Sequence, residues 1–120
     1  MHIEALRNHC LAKKGVTEEF PFDESTLVFK VMGKMFALVG LERLPVSANL
    51  KCDPERAVEL REQHPEDILP GWHMNKKHWN TVLLEGDLEG GFICELIDHS
   101  YNLVVGKLTK KLRSELEKEA

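Results

Sequence analysis

The sequence predicts an α+β fold, a two-layer antiparallel sheet with helices on one face, in the order helix, three strands, helix, two strands, helix. Three observations lead to this prediction. Apolar residues recur at helical spacing near both ends of the chain. Between them lie β-branched and aromatic runs separated by turn residues. The chain has 120 residues, 42% of them hydrophobic and 30% charged, so we expect residues 1–120 to form one domain.

The N-terminal elements are a helix and a short edge segment. From Ile3 onward apolar residues recur at helical spacing, and Gly15 is suited to a C-cap, which predicts a helix over residues 2–13. Residues 18–22 are expected to be extended and to lie at a sheet edge, because Pro21 has no N–H to donate to a β-ladder.

Three adjacent antiparallel strands are expected next, at residues 27–31, 35–40 and 46–51. The first two are joined through residues 32–34, where Gly33 can take the positive φ that a tight hairpin requires. This part of the chain is therefore predicted to form a three-stranded antiparallel meander.

A second helix and two further strands continue the chain. Asp53 and Pro54 form a strong helix start, since the carboxylate can accept hydrogen bonds from free backbone amides and proline fits the first helical position. His64 and Pro65 end this helix. The remaining elements are strands at residues 68–73 and 78–85 and a helical region from about Glu89, with a break at Gly106.

Signals for export, membrane insertion and metal binding are missing from the sequence. The first residues mix charged and apolar side chains, and no apolar run approaches the roughly 20 residues that span a bilayer, so we expect a cytoplasmic protein without a membrane partner. Cys10, Cys52 and Cys94 are odd in number and far apart, which favours reduced, buried thiols. We expect no cofactor and no metal.

The sequence also lacks a catalytic constellation, and we expect a protein that is not an enzyme. Asp98, His99 and Ser100 have the residue types of a hydrolase triad, but neighbours on a helix point in different directions. His73 and His78 lack the accompanying carboxylate and the spacing of a zinc motif.

Several stretches, taken in order, resemble the pattern of the MmcQ/YjbR family. They are residues 20–22 (FPF), 28–37 (VFKVMGKMFA), 50–55 (LKCDPE), 70–79 (PGWHMNKKHW) and 100–101 (SY). The resemblance implies the two-layer fold already predicted, similar to type III secretion chaperones and to frataxin-like CyaY. It also implies a DNA-binding function.

The candidate nucleic-acid-binding residues are mostly cationic. Residues 70–80 combine basic and aromatic side chains without a carboxylate, which favours phosphate contacts and base stacking. A strand period of two can bring Lys30 and Lys51 to one sheet face beside this segment, as a basic concavity. The candidates are Lys30, Lys34, Lys51, Trp72, His73, Asn75, Lys76 and Lys77. A purely structural alternative assigns Trp79 to the core and the lysines to strand ends.

Other charged segments bear on this hypothesis. The formal net charge of −4 repels polyphosphates unless basic residues gather on one face. The basic residues within 107–113 are followed by glutamates at i,i+4 spacing, which favours a solvated helix face. Residues 53–67 are mainly acidic and would have to face away from nucleic acid.

Two functions therefore remain open. The first is a nucleic-acid-binding module with DNA as its partner, dominant phosphate contacts and weak sequence selectivity. The alternative is a protein- or peptide-binding module resembling the secretion chaperones, in which an exposed sheet face or edge receives a partner segment. The sequence leaves the oligomeric state open between a monomer and a homodimer.

Overall fold

The computed structural model describes residues 1–119. Its strands are β1 (Val16–Glu19), β2 (Thr26–Val31), β3 (Lys34–Gly40), β4 (Ser47–Lys51), β5 (Ile68–Pro70) and β6 (Trp79–Leu83). Its helices are α1 (Ile3–Leu11), α2 (Pro54–Gln63), α3 (Gly90–Gly106) and α4 (Lys110–Glu117). The strands form one antiparallel sheet in the order β1-β2-β3-β4-β6-β5. The predicted fold class and element order are confirmed, with β1 as an added edge strand and the C-terminal region divided after Gly106.

The hairpin between β2 and β3 has the predicted turn. Met32 and Gly33 are its two central residues, and both have positive φ, at 50° and 80°. Positive φ at both positions is the pattern of a type I′ turn, whose twist matches that of the flanking strands. The turn thus fixes the register in which Val31 faces Lys34.

Both edge strands differ from the predicted ranges. β1 pairs with β2 from Val16 to Glu19 and ends before Pro21, which cannot donate to a ladder. At the other edge, β5 ends at Pro70, three residues earlier than predicted. The Gly71 N–H still reaches the Trp79 carbonyl at 3.0 Å and closes residues 71–78 into a loop.

The main core lies between the sheet and the helices. Leu27, Phe29 and Val31 occupy alternate positions of β2 and are buried in one cluster with Leu6 of α1 and Ile97 of α3. Alternate residues of a strand point to opposite faces of its sheet, and Val28 between them is buried in a different cluster. The sheet therefore has a helix-covered face and an opposite face.

The opposite face carries a smaller apolar cluster. Val28, Leu38 and Trp79 form this cluster, and Met35 and Met74 pack against it. Trp79 is 8% exposed, so its assignment as a core residue is confirmed. Met74 belongs to the loop that follows β5, and this loop folds back over the sheet.

A buried hydroxyl joins α3 to the sheet. Ser100 is 0% exposed, donates to the Phe36 carbonyl at 2.5 Å and accepts from the Lys51 N–H at 2.9 Å. The pairing of β2 with β3 shifts at this point, from Met35 to Ala37, which leaves Phe36 outside the ladder. Ser100 thus bridges β3 and β4 just beyond Ala37 and Leu50, where their pairing ends.

Candidate nucleic-acid interface and a groove on the sheet face

Every second connection of the sheet lies at the same end, because neighbouring strands are antiparallel. In the observed register Val16 pairs with Val31, Val31 with Lys34, and Lys51 with Trp79. The connections that meet at this end of the sheet are residues 12–15, 32–33, 52–53 and 71–78.

This end, which we call the lysine end, gathers cations from distant parts of the sequence. In these connections and the strand ends beside them stand Lys13, Lys14, Lys34, Lys51, Lys76 and Lys77. Asp53 is the single carboxylate within the same described segments, and it caps α2 by accepting from the Arg56 N–H at 3.2 Å. Lysines therefore outnumber carboxylates six to one in these segments, while Glu55 and Glu59 of α2 line a surface pocket together with Lys77.

The opposite end of the sheet, the acid end, has the reverse composition. Its connections are residues 20–25, 41–46, 64–67 and 84–89. With the strand ends beside them, these connections carry Glu19, Asp23, Glu24, Glu42, Glu66, Asp67, Glu85, Asp87 and Glu89. Arg43 is the one lysine or arginine in these described segments. The acid end thus carries nine carboxylates against one arginine.

Lys51 and Lys107 extend the lysine end toward the helices. Lys107 is the C-cap residue of α3. Burial and then the positive charge of Lys107 lower the pKa of Lys51. The two amines are therefore close enough for their positive charges to repel each other.

Ion pairing leaves several of these amines free. Within residues 1–119 no carboxylate lies within 4.0 Å of the amines of Lys34, Lys51, Lys77 and Lys107. The ion pairs that the sequence suggested between residues 107–113 and the glutamates after them are likewise absent from this part of the chain. These side chains remain available to a polyanion.

Lys13, Lys14 and Lys30 are engaged by the protein itself. Lys13 forms an ion pair with Asp98, and Lys14 donates to a backbone carbonyl of α4. Lys30 lies within β2, and its amine is 3.6 Å from the Glu19 carboxylate. The predicted contribution of Lys30 to a basic concavity is therefore partly neutralised by its neighbour on β1.

The loop after β5 is held by its own hydrogen bonds. The side-chain oxygen of Asn75 accepts from the Lys77 N–H at 2.9 Å, and the backbone carbonyl of Asn75 accepts from the Trp79 N–H at 3.0 Å. The Lys76 amine donates to the Gly71 carbonyl at 3.0 Å. Asn75 and Lys76 thus shape the loop, while the Lys77 side chain is exposed.

A groove of about 640 Å³ lies on the sheet face opposite the helices. Met35, Leu38 and Met74 supply apolar side chains to it, while Trp72 and His73 belong to its wall. The groove is lined by no lysine among the described residues, so the concave part of this face is not the basic surface that the sequence suggested. Of the predicted site residues, only Trp72 and His73 line this groove. The others lie in the lysine end outside the groove, except Lys30, which lies within β2.

The wall of the groove is fixed to the sheet. The Trp72 N–H donates to the Thr81 hydroxyl at 2.9 Å, and the Asn49 amide donates to the Trp72 carbonyl at 3.1 Å. The Thr81 hydroxyl also donates to the side-chain oxygen of Asn49 at 2.5 Å. His73 follows with φ of 58°, an uncommon value for a residue other than glycine. The loop is thus preorganised at this point by polar residues of two strands.

Sequence reasoning missed most of the groove. Asn49 and Thr81 are polar residues inside predicted strands, and this interruption of the apolar pattern is the signal that marks them. Arg43 carries no such signal, yet its guanidinium lies 3.3 Å from the centroid of the Trp72 ring. Lys107 was assigned to a solvated helix face, and its nearness to Lys51 depends on where α3 ends.

Two of the three cysteines, Cys10 and Cys52, are buried. Burial raises the pKa of the Cys10 thiol to about 12 and that of Cys52 to about 11, so neither is a ready nucleophile. Within residues 1–119 no group of three or more His, Cys, Asp or Glu side chains is arranged to hold a metal ion. No helix in the same range is both long and apolar enough to cross a membrane.

The fold and surfaces define a two-layer α+β domain with a charge-polarised antiparallel sheet. The family model described as YjbR matches residues 11–103, and the chain belongs to the YjbR family.

Two relatives show how far the similarity extends. The chain is 37% identical over 113 residues to the uncharacterized protein YjbR of Escherichia coli, covering 94% of this chain and 95% of that one. It is 30% identical over 115 residues to the uncharacterized protein YyaQ of Bacillus subtilis, covering 83% and 95%.

Solved structures share the fold. The crystal structure of a Deinococcus radiodurans protein has a TM-score of 0.90 at 45% identity, covering 96% of this chain and 87% of that chain. The crystal structure of a Pseudomonas syringae protein has a TM-score of 0.71 at 28% identity, covering 86% and 98%.

Proposed function

We propose that this protein is a nucleic-acid-binding module, not an enzyme, and that its lysine end contacts the phosphate backbone of DNA. One observation carries the proposal, namely that lysines from separate connections converge at one end of the sheet, while the connections at the other end carry nine carboxylates and a single arginine. The contacts that we assign to phosphates are those of Lys34, Lys51, Lys77 and Lys107, whose amines are free of carboxylates within the described residues.

The nine carboxylates of the acid end lie far from the proposed interface. A strand of six residues such as β2 is about 20 Å long at roughly 3.3 Å per residue. The Debye length at physiological salt is about 8 Å. The repulsion from the acid end is therefore screened over more than two Debye lengths at the lysine end.

Lysine contacts of this kind favour weak sequence selectivity. A lysine amine is a point charge that binds phosphate without reading base edges. Trp72 and His73 line the groove on the sheet face, so we assign them no direct contact with DNA. The alternative of a protein- or peptide-binding module concerns that second surface.

Fluorescence anisotropy of labelled double-stranded DNA tests the proposal. Four phosphate contacts give a slope of about −3.6 in log affinity against log salt, at about 0.9 per contact. Raising the salt from about 50 to about 200 mM should then lower the affinity about 150-fold. In a Lys34→Gln/Lys77→Gln variant the slope should fall to about −1.8 and the salt effect to about 12-fold.

A matched control removes the same charge elsewhere. Arg7 and Lys30 are paired with the β1 residues Glu18 and Glu19, outside the proposed interface. The Arg7→Gln/Lys30→Gln variant should keep the slope of the unchanged protein. Absence of binding at about 50 mM salt, or an equal loss of slope in both double variants, would refute the proposal.

A further inference from the structure

The groove on the sheet face is a second candidate site, and residues 72–74 of the connection 71–78 fold over the sheet face to line it. Its volume of about 640 Å³ falls in the range of ligand-binding clefts, roughly 300–1,000 Å³. Its wall is held by Asn49 and Thr81, so a ligand meets a surface that is already ordered.

The exposed indole of Trp72 already carries a cation. Trp72 is 49% exposed, and the Arg43 guanidinium lies 3.3 Å from its ring centroid. The face of an indole ring attracts cations through its quadrupole, and arginine is the commonest partner. The intramolecular contact shows that a guanidinium fits over this ring beside the groove.

The charge around the groove also favours a cation. Asp23 and Glu42 line it and belong to the acid end. Hydrogen bonds from the Thr26 hydroxyl and the Ser25 N–H lower the pKa of Asp23, so this carboxylate is ionised at neutral pH. Arg43 is the one arginine or lysine that lines the groove within the described chain. A phosphate-bearing ligand is repelled here, and a cationic one is attracted.

Apolar side chains next to these charges indicate that the ligand also has an apolar part. Met35, Leu38 and Met74 line the groove, and Phe22 beside them is 64% exposed. Side chains of this kind bind aliphatic groups, and methionines adapt to more than one shape. A small inorganic cation makes no use of such a surface.

We propose that the groove binds an extended segment of a partner protein in which arginine or lysine is flanked by apolar residues. The cation of the partner stacks on Trp72 in the position that Arg43 occupies, and Asp23 and Glu42 attract it. The apolar neighbours of the cation contact Leu38 and the two methionines.

The test uses two labelled hexapeptides with blocked ends, one alternating leucine with arginine and one alternating leucine with glutamate. The arginine peptide should bind at least about 10-fold more tightly than the glutamate peptide, by anisotropy at moderate salt. Trp72→Ala should weaken its binding at least about 10-fold.

The Arg43→Ala variant tests whether a cation of the partner takes the place of Arg43 on the Trp72 ring. If a partner cation replaces Arg43 on the ring, removing this competitor should strengthen binding of the arginine peptide about 3- to 10-fold. Arg7→Ala removes one positive charge from the helix-covered side and should leave the affinity unchanged. Equal binding of both peptides, weaker binding in Arg43→Ala, or no effect of Trp72→Ala would overturn the proposal. Concentration-dependent dimerisation that protects Trp72 and excludes the peptide would overturn it as well, because the occupant would be a second copy.

Discussion

Ser100 is the side chain whose removal should most directly uncouple α3 from the sheet. The Ser100→Ala variant deletes one oxygen and leaves the backbone geometry free to stay as it is. The hydroxyl donates to the Phe36 carbonyl at 2.5 Å and accepts from the Lys51 N–H at 2.9 Å, and Ser100 is 0% exposed. Alanine can replace neither hydrogen bond.

The cost follows from the two backbone groups that lose their partner. A buried polar group left without a hydrogen bond costs about 1–3 kcal/mol. Two such groups, with partial relief by relaxation of the bulge around Phe36, should cost about 3 kcal/mol. Since small domains are stable by about 5–15 kcal/mol, this is a large part of the total. At about 4 °C per kcal/mol for a chain of this size, Tm should fall by about 12 °C.

Urea denaturation followed by circular dichroism measures this change. The midpoint should fall by about 1.5 M with an unchanged slope, if the slope is about 2 kcal/mol per M. Ser114→Ala is the matched control, because Ser114 is exposed on α4 and its removal should change stability by less than about 0.5 kcal/mol. A loss below about 0.5 kcal/mol in Ser100→Ala would refute the view that this hydroxyl is essential to the junction.

Three further predictions follow from burial and close contact. Gly71→Ala should destabilise the protein by about 1–3 kcal/mol in the same urea assay, because a Cβ there would lie 2.9 Å from the Trp79 carbonyl oxygen; an unchanged midpoint would contradict this. The Cys10 thiol, with its pKa raised to about 12 by burial, should react with a thiol reagent at about pH 8 only after unfolding, as peptide mapping of the labelled protein would show. Burial, and then Arg56, lower the pKa of His99 below 6.5, so the unfolded state takes up the proton first. The contribution of His99 to stability is therefore present above pH 6.5 and lost as the pH falls toward its folded pKa, so from about pH 7.5 to about pH 5.5 the urea midpoint should fall less in His99→Gln than in the unchanged protein.

The local structure was predictable wherever short-range chemistry decides it. Asp53 caps α2 through the Arg56 N–H, Gly33 takes positive φ in the hairpin, and α3 ends at Gly106. Each of these depends on a side chain and a few neighbouring backbone groups. The periods of two and of three to four residues likewise predicted which strands and helices form.

The limits of the edge strands were less predictable. β1 occupies Val16–Glu19, whereas the pattern suggested residues 18–22. A strand at an edge has a partner on one side only, so its length depends on how much of that neighbour is available. The predicted segment ran through Pro21 to Phe22, whereas pairing with β2 covers Val16–Glu19 and ends before the proline.

The sequence by itself determined the class of fold, the order of its elements and the turn at Gly33, because these follow from periodicity and local hydrogen bonding. Only the tertiary structure decided that Lys34, Lys51, Lys77 and Lys107 share one end of the molecule. It also decided that Trp72 stacks with Arg43 on another surface. Antiparallel pairing brings alternate connections together regardless of their separation along the chain, and charge carries no periodic signal from which such convergence can be read.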